Sequence, residues 1–189
     1  MFQLYNKQFP QFNQLWDKYA MLYHRIEVPA KTILLNEGDV SKKAYIIEQG
    51  CIRAWFNNKG KDVTFQFFFE NEAVSSIESF RRGTPSLYSI ETIESCVLYW
   101  IHKKDWLNLQ NEIYAIPELR EQLIDITLNR QLNYMQHFMS FIKHTPKERY
   151  LNLVKEKPQI IKRIPQHYIA SYLGITSVSL SRIRNAVVK

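Results

Sequence analysis

The stretch from Ala170 to Arg184, ASYLGITSVSLSRIR, sets a glycine in the middle of a helical apolar pattern. Glycine inside a helix costs about 1 kcal/mol relative to alanine. Gly174 therefore reads as the end of one helix, where it can take positive φ and turn the chain sharply. Pro165 opens the first helix, from about Gln166 to Leu173, with Ile169, Ala170 and Leu173 facing inward. Thr176 is the natural N-cap of a second helix that packs through Leu180, Ile183 and Val187. The spacings are four residues from Ala170 to Gly174, six to Leu180 and three to Ile183, which is the pattern of a helix-turn-helix. Opposite the apolar stripe lie Val178, Ser181, Arg182, Asn185 and Lys189, with Ser177 at the helix start. Short polar residues around one long donor suit a helix lying in the major groove of DNA. An ordinary helical hairpin with a solvated outer face is the alternative.

Charge alone suits a solvated basic face as well as an anionic partner, but it agrees with the caps and the spacing. From Lys143 to the end there are ten basic residues against two acidic ones, a net +8, while the preceding part carries −1. Basic excess confined to the segment that holds the two helices points to an anionic partner, double-stranded DNA.

A different period governs the first half. In KTILLNEGDVSKKAYIIEQGCIRAWFNNKGKDVTFQFFFENE, β-branched and aromatic runs (Ile33 to Leu35, Ala44 to Ile47, Ile52 to Phe56, Val63 to Phe69) are punctuated by Gly38, Gly50 and Gly60. This predicts an antiparallel sandwich or barrel, closed by the strands of SLYSIETIESCVLYWI and preceded by a helix over Phe9 to Tyr23. Helix returns at Lys103, and Pro117 starts a long segment with apolar residues at Leu119, Leu123, Ile126, Leu128, Leu132, Met135, Met139 and Ile142. These make two stripes. One covers the β domain; the other needs a partner, which predicts a homodimer. Thr145-Pro146 caps a further helix to about Lys155, Arg81 and Arg82 fall on a turn before Gly83, and EKPQIIKRIPQ is a short connector. The chain thus divides at 1–115, 116–142 and 143–189.

Cys51 and Cys96 are too few for a disulfide framework and lack metal-site spacing. The five histidines form no metal-binding pair, and the N-terminus has no signal-peptide pattern. No apolar run reaches a membrane span. The expectation is a cytoplasmic, non-enzymatic chain without a metal or other cofactor. The competing class is a stand-alone cupin-like ligand-binding or enzymatic β domain with an incidental helical tail. It would need histidines around a metal, and the β segment offers only His24 before it and His102 at its end.

IPQHYIASYLGITSVSLSRIR, TPKERYLNLVKE and the glycine-punctuated β segment together resemble the cAMP receptor protein/Fnr (Crp/Fnr) superfamily of bacterial transcription regulators. The resemblance covers almost the whole chain. It implies an α+β fold: an N-terminal cyclic-nucleotide-binding-like β-roll (jelly-roll), a long dimerisation helix and a C-terminal helix-turn-helix. It places Thr176, Ser179 and His167 near phosphates and turns Ser177, Val178 and Arg182 to bases. It also allows RNA polymerase as a partner.

Two departures bear on mechanism. Relatives that bind cyclic nucleotide carry G-E-(L/I)-(A/G) and, further on, R-(S/T)-A, whose arginine answers the cyclic phosphate. Here Asn71 replaces the glycine, Glu72 survives, and Ser86 or Leu87 stands at the arginine's position, so cAMP is not the expected ligand. A different anion would meet a pocket bounded by Ser75, Ser76, Arg81, Arg82 and Tyr88, with Arg130 and Tyr134 reaching it from the long helix. The β-roll could equally be a scaffold that has lost its ligand. The second departure is that EKPQIIKRIPQ is too short for the β-hairpin wing that relatives carry beside the helix-turn-helix, which shifts backbone contacts to Lys143, Lys147, Lys162 and Arg163.

Overall fold

The computed structural model describes residue 15 and residues 17–187. Of the predicted N-terminal helix, Phe9 to Trp16 lie outside the described residues except Leu15. Residues 17–19 are helical and run into a 3-10 turn, Ala20–Leu22.

Eight strands follow, with one short helix among them: β1 (His24–Val28), β2 (Ile33–Leu35), β3 (Lys43–Gln49), β4 (Ile52–Asn58), β5 (Lys61–Phe68), β6 (Ala73–Val74), α1 (Ile77–Arg82), β7 (Ser89–Thr92) and β8 (Cys96–His102). They form two four-stranded sheets, in the orders β1-β8-β3-β6 and β2-β7-β4-β5, the jelly-roll arrangement. Pairing is antiparallel, from His24↔Trp100 to Val28↔Cys96 between β1 and β8, and Lys43↔His102 to Ile47↔Leu98 between β3 and β8. Ile47 and Leu98 of one sheet and Ile52 and Ile90 of the other are fully buried. Gly50 has φ +108 and leaves room for Cys96, whose Sγ would lie 2.4 Å from an added Cβ. Both cysteines are buried and neither is in a disulfide.

Helix α2 (Lys103–Ala115) leads into α3 (Pro117–Lys143), whose 27 residues span about 40 Å. At its start Leu119 joins Leu15, Tyr19, Leu109 and Ile113 in a buried cluster, with Leu123 packed against it. The other stripe faces outward: Leu128, Leu132, Met135, Phe138 and Ile142 are exposed, the last two at 66% and 73%.

Next come α4 (Pro146–Glu156), α5 (Pro158–Arg163), α6 (Gln166–Tyr172) and α7 (Ser177–Val187). A capping box starts α4: Glu148 N–H donates to Thr145 Oγ1 at 3.3 Å, and Thr145 N–H donates to Glu148 Oε2 at 2.8 Å. That geometry holds the Glu148 carboxyl below its usual range, chiefly through the Thr145 backbone N–H.

Three local expectations are corrected. The connector EKPQIIKRIPQ contains helix α5, because Pro158 fits the first helical position and Ile160 is buried. Arg81 and Arg82 stand in the last turn of α1, which Gly83 closes. Val187 is 38% exposed, because α6 is only about 10 Å long and covers just the first turns of α7.

The chain forms two compact units. One comprises residues 1–53 and 68–126; the other comprises 54–67 and 127–189. Most of the β4-β5 hairpin, residues 54–67, therefore belongs with the C-terminal helices. The Ser171 hydroxyl on α6 accepts from Thr64 N–H at 2.9 Å and donates to the Asp62 carbonyl at 3.0 Å, replacing a strand neighbour at the hairpin's edge. Phe67 packs on Tyr172 beside it, ring centroids 5.1 Å apart.

Candidate nucleic-acid interface and effector site

The turn between α6 and α7 is built by backbone hydrogen bonds that only a left-handed residue permits. Gly174 has φ +67. Its N–H donates to the Ser171 carbonyl at 2.9 Å, and Ile175 N–H donates to the Ala170 carbonyl at 3.0 Å, a Schellman motif. Ala170, 1% exposed, keeps the two helices close, and Leu180 fills the angle between them at 1%. Thr176 caps α7: its Oγ1 accepts from Ser179 N–H at 3.1 Å and lies 2.9 Å from Ser179 Oγ.

Arg149 locks this turn, and the sequence reading missed it. Its Nε and Nη2 donate to the Leu173 carbonyl at 3.2 and 3.0 Å, and its Nη1 donates to the His144 carbonyl at 2.8 Å. The guanidinium also sits 4.8 Å over the Phe141 ring. One arginine thus satisfies orphan carbonyls at the ends of α6 and α3. A basic residue one turn into a capped helix was the available signal.

The predicted reading face stands clear of this core. Ser177, Val178, Ser181, Arg182 and Asn185 are exposed along α7, Val178 at 61%. Thr176 and His167 are exposed at the starts of α7 and α6, and Ser179 is half-buried. Lys189 lies outside the described residues. Lys143, Lys147 and Lys162 are exposed, and Arg163 is half-buried.

Of the predicted effector residues, only some are brought together. Ser75, Ser76, Ser86 and Tyr88 come together. Ser86 Oγ lies 2.9 Å from Ser76 Oγ and 2.6 Å from the Tyr88 carbonyl, and Tyr88 Oη donates to the Ser75 carbonyl at 3.4 Å. Arg81 and Arg82 are exposed on α1, where Arg82 pairs with Glu78 at 3.0 Å. Arg130 and Tyr134 lie on α3 in the other compact unit. Asn71 keeps positive φ, +68, where the related motif has glycine. The Glu72 carboxylate accepts from Phe69 N–H at 2.7 Å, which closes its own turn.

The buried cation of the β-roll is one the sequence reading did not single out. Arg53 on β4 donates from Nε to Glu91 Oε2 on β7 at 2.8 Å, with Nη2 2.5 Å from the same oxygen; the two side chains are 3% and 10% exposed. The only signal was an arginine between residues of a buried strand, Ile52 and Ala54. At the roll's end, His24 stacks on Trp100 at 4.3 Å and His102 meets the same ring edge-on at 4.8 Å. Among the described residues no three potential metal ligands converge, and no helix is long and apolar enough to cross a membrane.

Residues 25–112 match the cyclic nucleotide-binding domain family. No curated protein sequence matches the chain. Among solved structures, the c-di-GMP responsive global regulator CLP of Xanthomonas campestris aligns with a TM-score of 0.71 at 16% identity, over 93% of this chain and 91% of that one. FixK2 from Bradyrhizobium japonicum gives 0.70 at 14%, over 87% and 84%. A cyclic nucleotide-binding domain containing protein from Listeria monocytogenes gives 0.69 at 18%, over 95% and 89%. At these identities the likeness is one of fold. Residues 25–112 thus match the cyclic nucleotide-binding domain family, and the chain as a whole shares the fold of these solved structures, a β-roll followed by helices.

Proposed function

We propose that the protein is a homodimeric, sequence-specific DNA-binding regulator, cytoplasmic and without enzymatic activity, in which α3 is the dimer seam and α7 reads the major groove. The observation that carries this reading is the exposed polar face of α7, presented by a Schellman turn inside a segment of net +8. Arg182 is the long donor at the centre of that face, suited to a bidentate contact with guanine. Thr176, Ser179 and His167 lie at helix starts, where phosphate oxygens are favoured. The apolar stripe from Leu128 to Ile142 supports the dimer, since burying it against a second copy removes several large side chains from water.

The β domain answers to something other than a cyclic nucleotide. A buried cyclic phosphate needs a paired cation. Here the roll's buried arginine is already paired with Glu91, Glu72 is held by its own turn, and the Ser86 hydroxyl is engaged. Calorimetry should show no micromolar cAMP or cGMP binding.

Selection from random duplexes tests the function itself. A two-fold symmetric site with half-site centres about 34–36 Å apart should emerge, bound less tightly as salt rises. Recovery of unenriched sequence, or a monomer in solution scattering at micromolar concentration, would refute the reading.

A further inference from the structure

The second compact unit holds a cleft of about 490 Å³ walled by the C-terminal half of α3, by α4 and by the end of α6. Its size falls within the range of small-molecule sites, roughly 300–1,000 Å³. Its floor is apolar: Tyr172 and Leu153 are 4% and 6% exposed, and Tyr172 stacks flat on His137, ring centroids 4.2 Å apart at 11°.

The charge around this floor is unbalanced. Lys143, Arg149 and Lys157 line the cleft against a single carboxylate, Glu156. Arg149 is engaged by two backbone carbonyls, whereas neither lysine has an ion-pair partner among the described residues. Lys157 is half-buried all the same. The imidazole of His137 registers the resulting field: it is pushed down to about 4, first by burial and then by the charges of Lys157 and Arg149. A concave site that combines an aromatic floor with uncompensated cations is complementary to one kind of molecule.

We propose that this cleft binds a small organic anion with a flat apolar body, its charge answered by Lys143 and Lys157 and its body lying against Leu153 and the edge of the His137–Tyr172 stack. DNA phosphates could meet the same lysines from outside, but a duplex cannot enter a cleft of this size. Because α3 supplies Lys143 and α6 supplies Tyr172, an occupant would bridge the long helix and the helix-turn-helix. On the regulator reading above, that makes it a second route for a signal, independent of the β-roll.

The test uses the full chain without DNA, so its outcome does not depend on the regulator reading. 8-Anilinonaphthalene-1-sulfonate, an aromatic anion, is titrated by fluorescence while the His137 ring and Met139 methyl signals are followed by NMR. One saturable site per chain is expected, with both signals shifting. Lys143→Gln/Lys157→Gln should weaken binding at least tenfold with an unchanged melting temperature. The proposal is overturned by equal binding to that variant, by absence of saturable binding, or by shifts confined to Phe138 and Ile142, which would place the dye on the exposed face of α3.

Discussion

Replacing Gly174 by alanine probes the joint on which the reading helix turns. Alanine held at φ +67 costs about 1–2 kcal/mol, since its Cβ crowds the following carbonyl. The added Cβ would also stand 2.8 Å from Phe141 Cε1, inside van der Waals contact, so one of the two must move. The Phe141 ring is 40% exposed and can swing outward. In doing so it gives up its edge contact with His137 at 5.1 Å and its place beneath Arg149 at 4.8 Å. Each is worth about 0.5–1 kcal/mol. The expected loss is therefore about 2–4 kcal/mol, a large fraction of a typical domain's stability. Urea unfolding followed by circular dichroism measures it. Phe141→Leu in the same chain removes the clash, so the double variant should retain only the backbone cost of about 1–2 kcal/mol relative to Phe141→Leu alone. A loss below about 0.5 kcal/mol for Gly174→Ala, the size of an ordinary surface change, would refute the claim that this turn requires glycine.

Arg53→Met should destabilise the β-roll by about 3–5 kcal/mol, because it strands the Glu91 carboxylate in the interior, and Arg53→Met/Glu91→Leu should recover most of that loss in the same unfolding assay. His137 sits at about 4 in the fold, against an ordinary 6.5, so the unfolded chain takes up its proton first. Its contribution to stability is complete above about pH 6.5 and is lost as pH falls toward 4. Melting temperatures across that window should fall less steeply for His137→Phe, which keeps the stack on Tyr172. Arg182→Ala should weaken specific DNA binding by about 1–3 kcal/mol and relax one base position per half-site, whereas Lys162→Ala should weaken all sequences alike. Sequencing of selected duplexes separates the two, and unchanged discrimination in Arg182→Ala would remove it from base reading.

The features legible in the sequence are local ones. The left-handed glycine between two short helices, the Thr145 and Thr176 caps, the proline at the head of α3 and the period-two strands between turn glycines all depend on residues within one turn or one strand of each other. Their geometry follows from backbone sterics and nearest-neighbour hydrogen bonds, which are the same wherever such residues occur. The six residues of α5 are too few to display a period, and the burial of Ile160 that fixes this helix is a property of the packed chain. The tertiary structure alone decided the rest. It paired Arg53 with Glu91, 38 residues away, and set Ser171 against the β4-β5 hairpin, 107 residues from Thr64. It drew Arg149 to the carbonyl of Leu173 and closed a cationic cleft over Tyr172. These partners are chosen by which surfaces packing brings together. A side chain's identity says what bond it can make, but only the fold says which distant group is there to receive it.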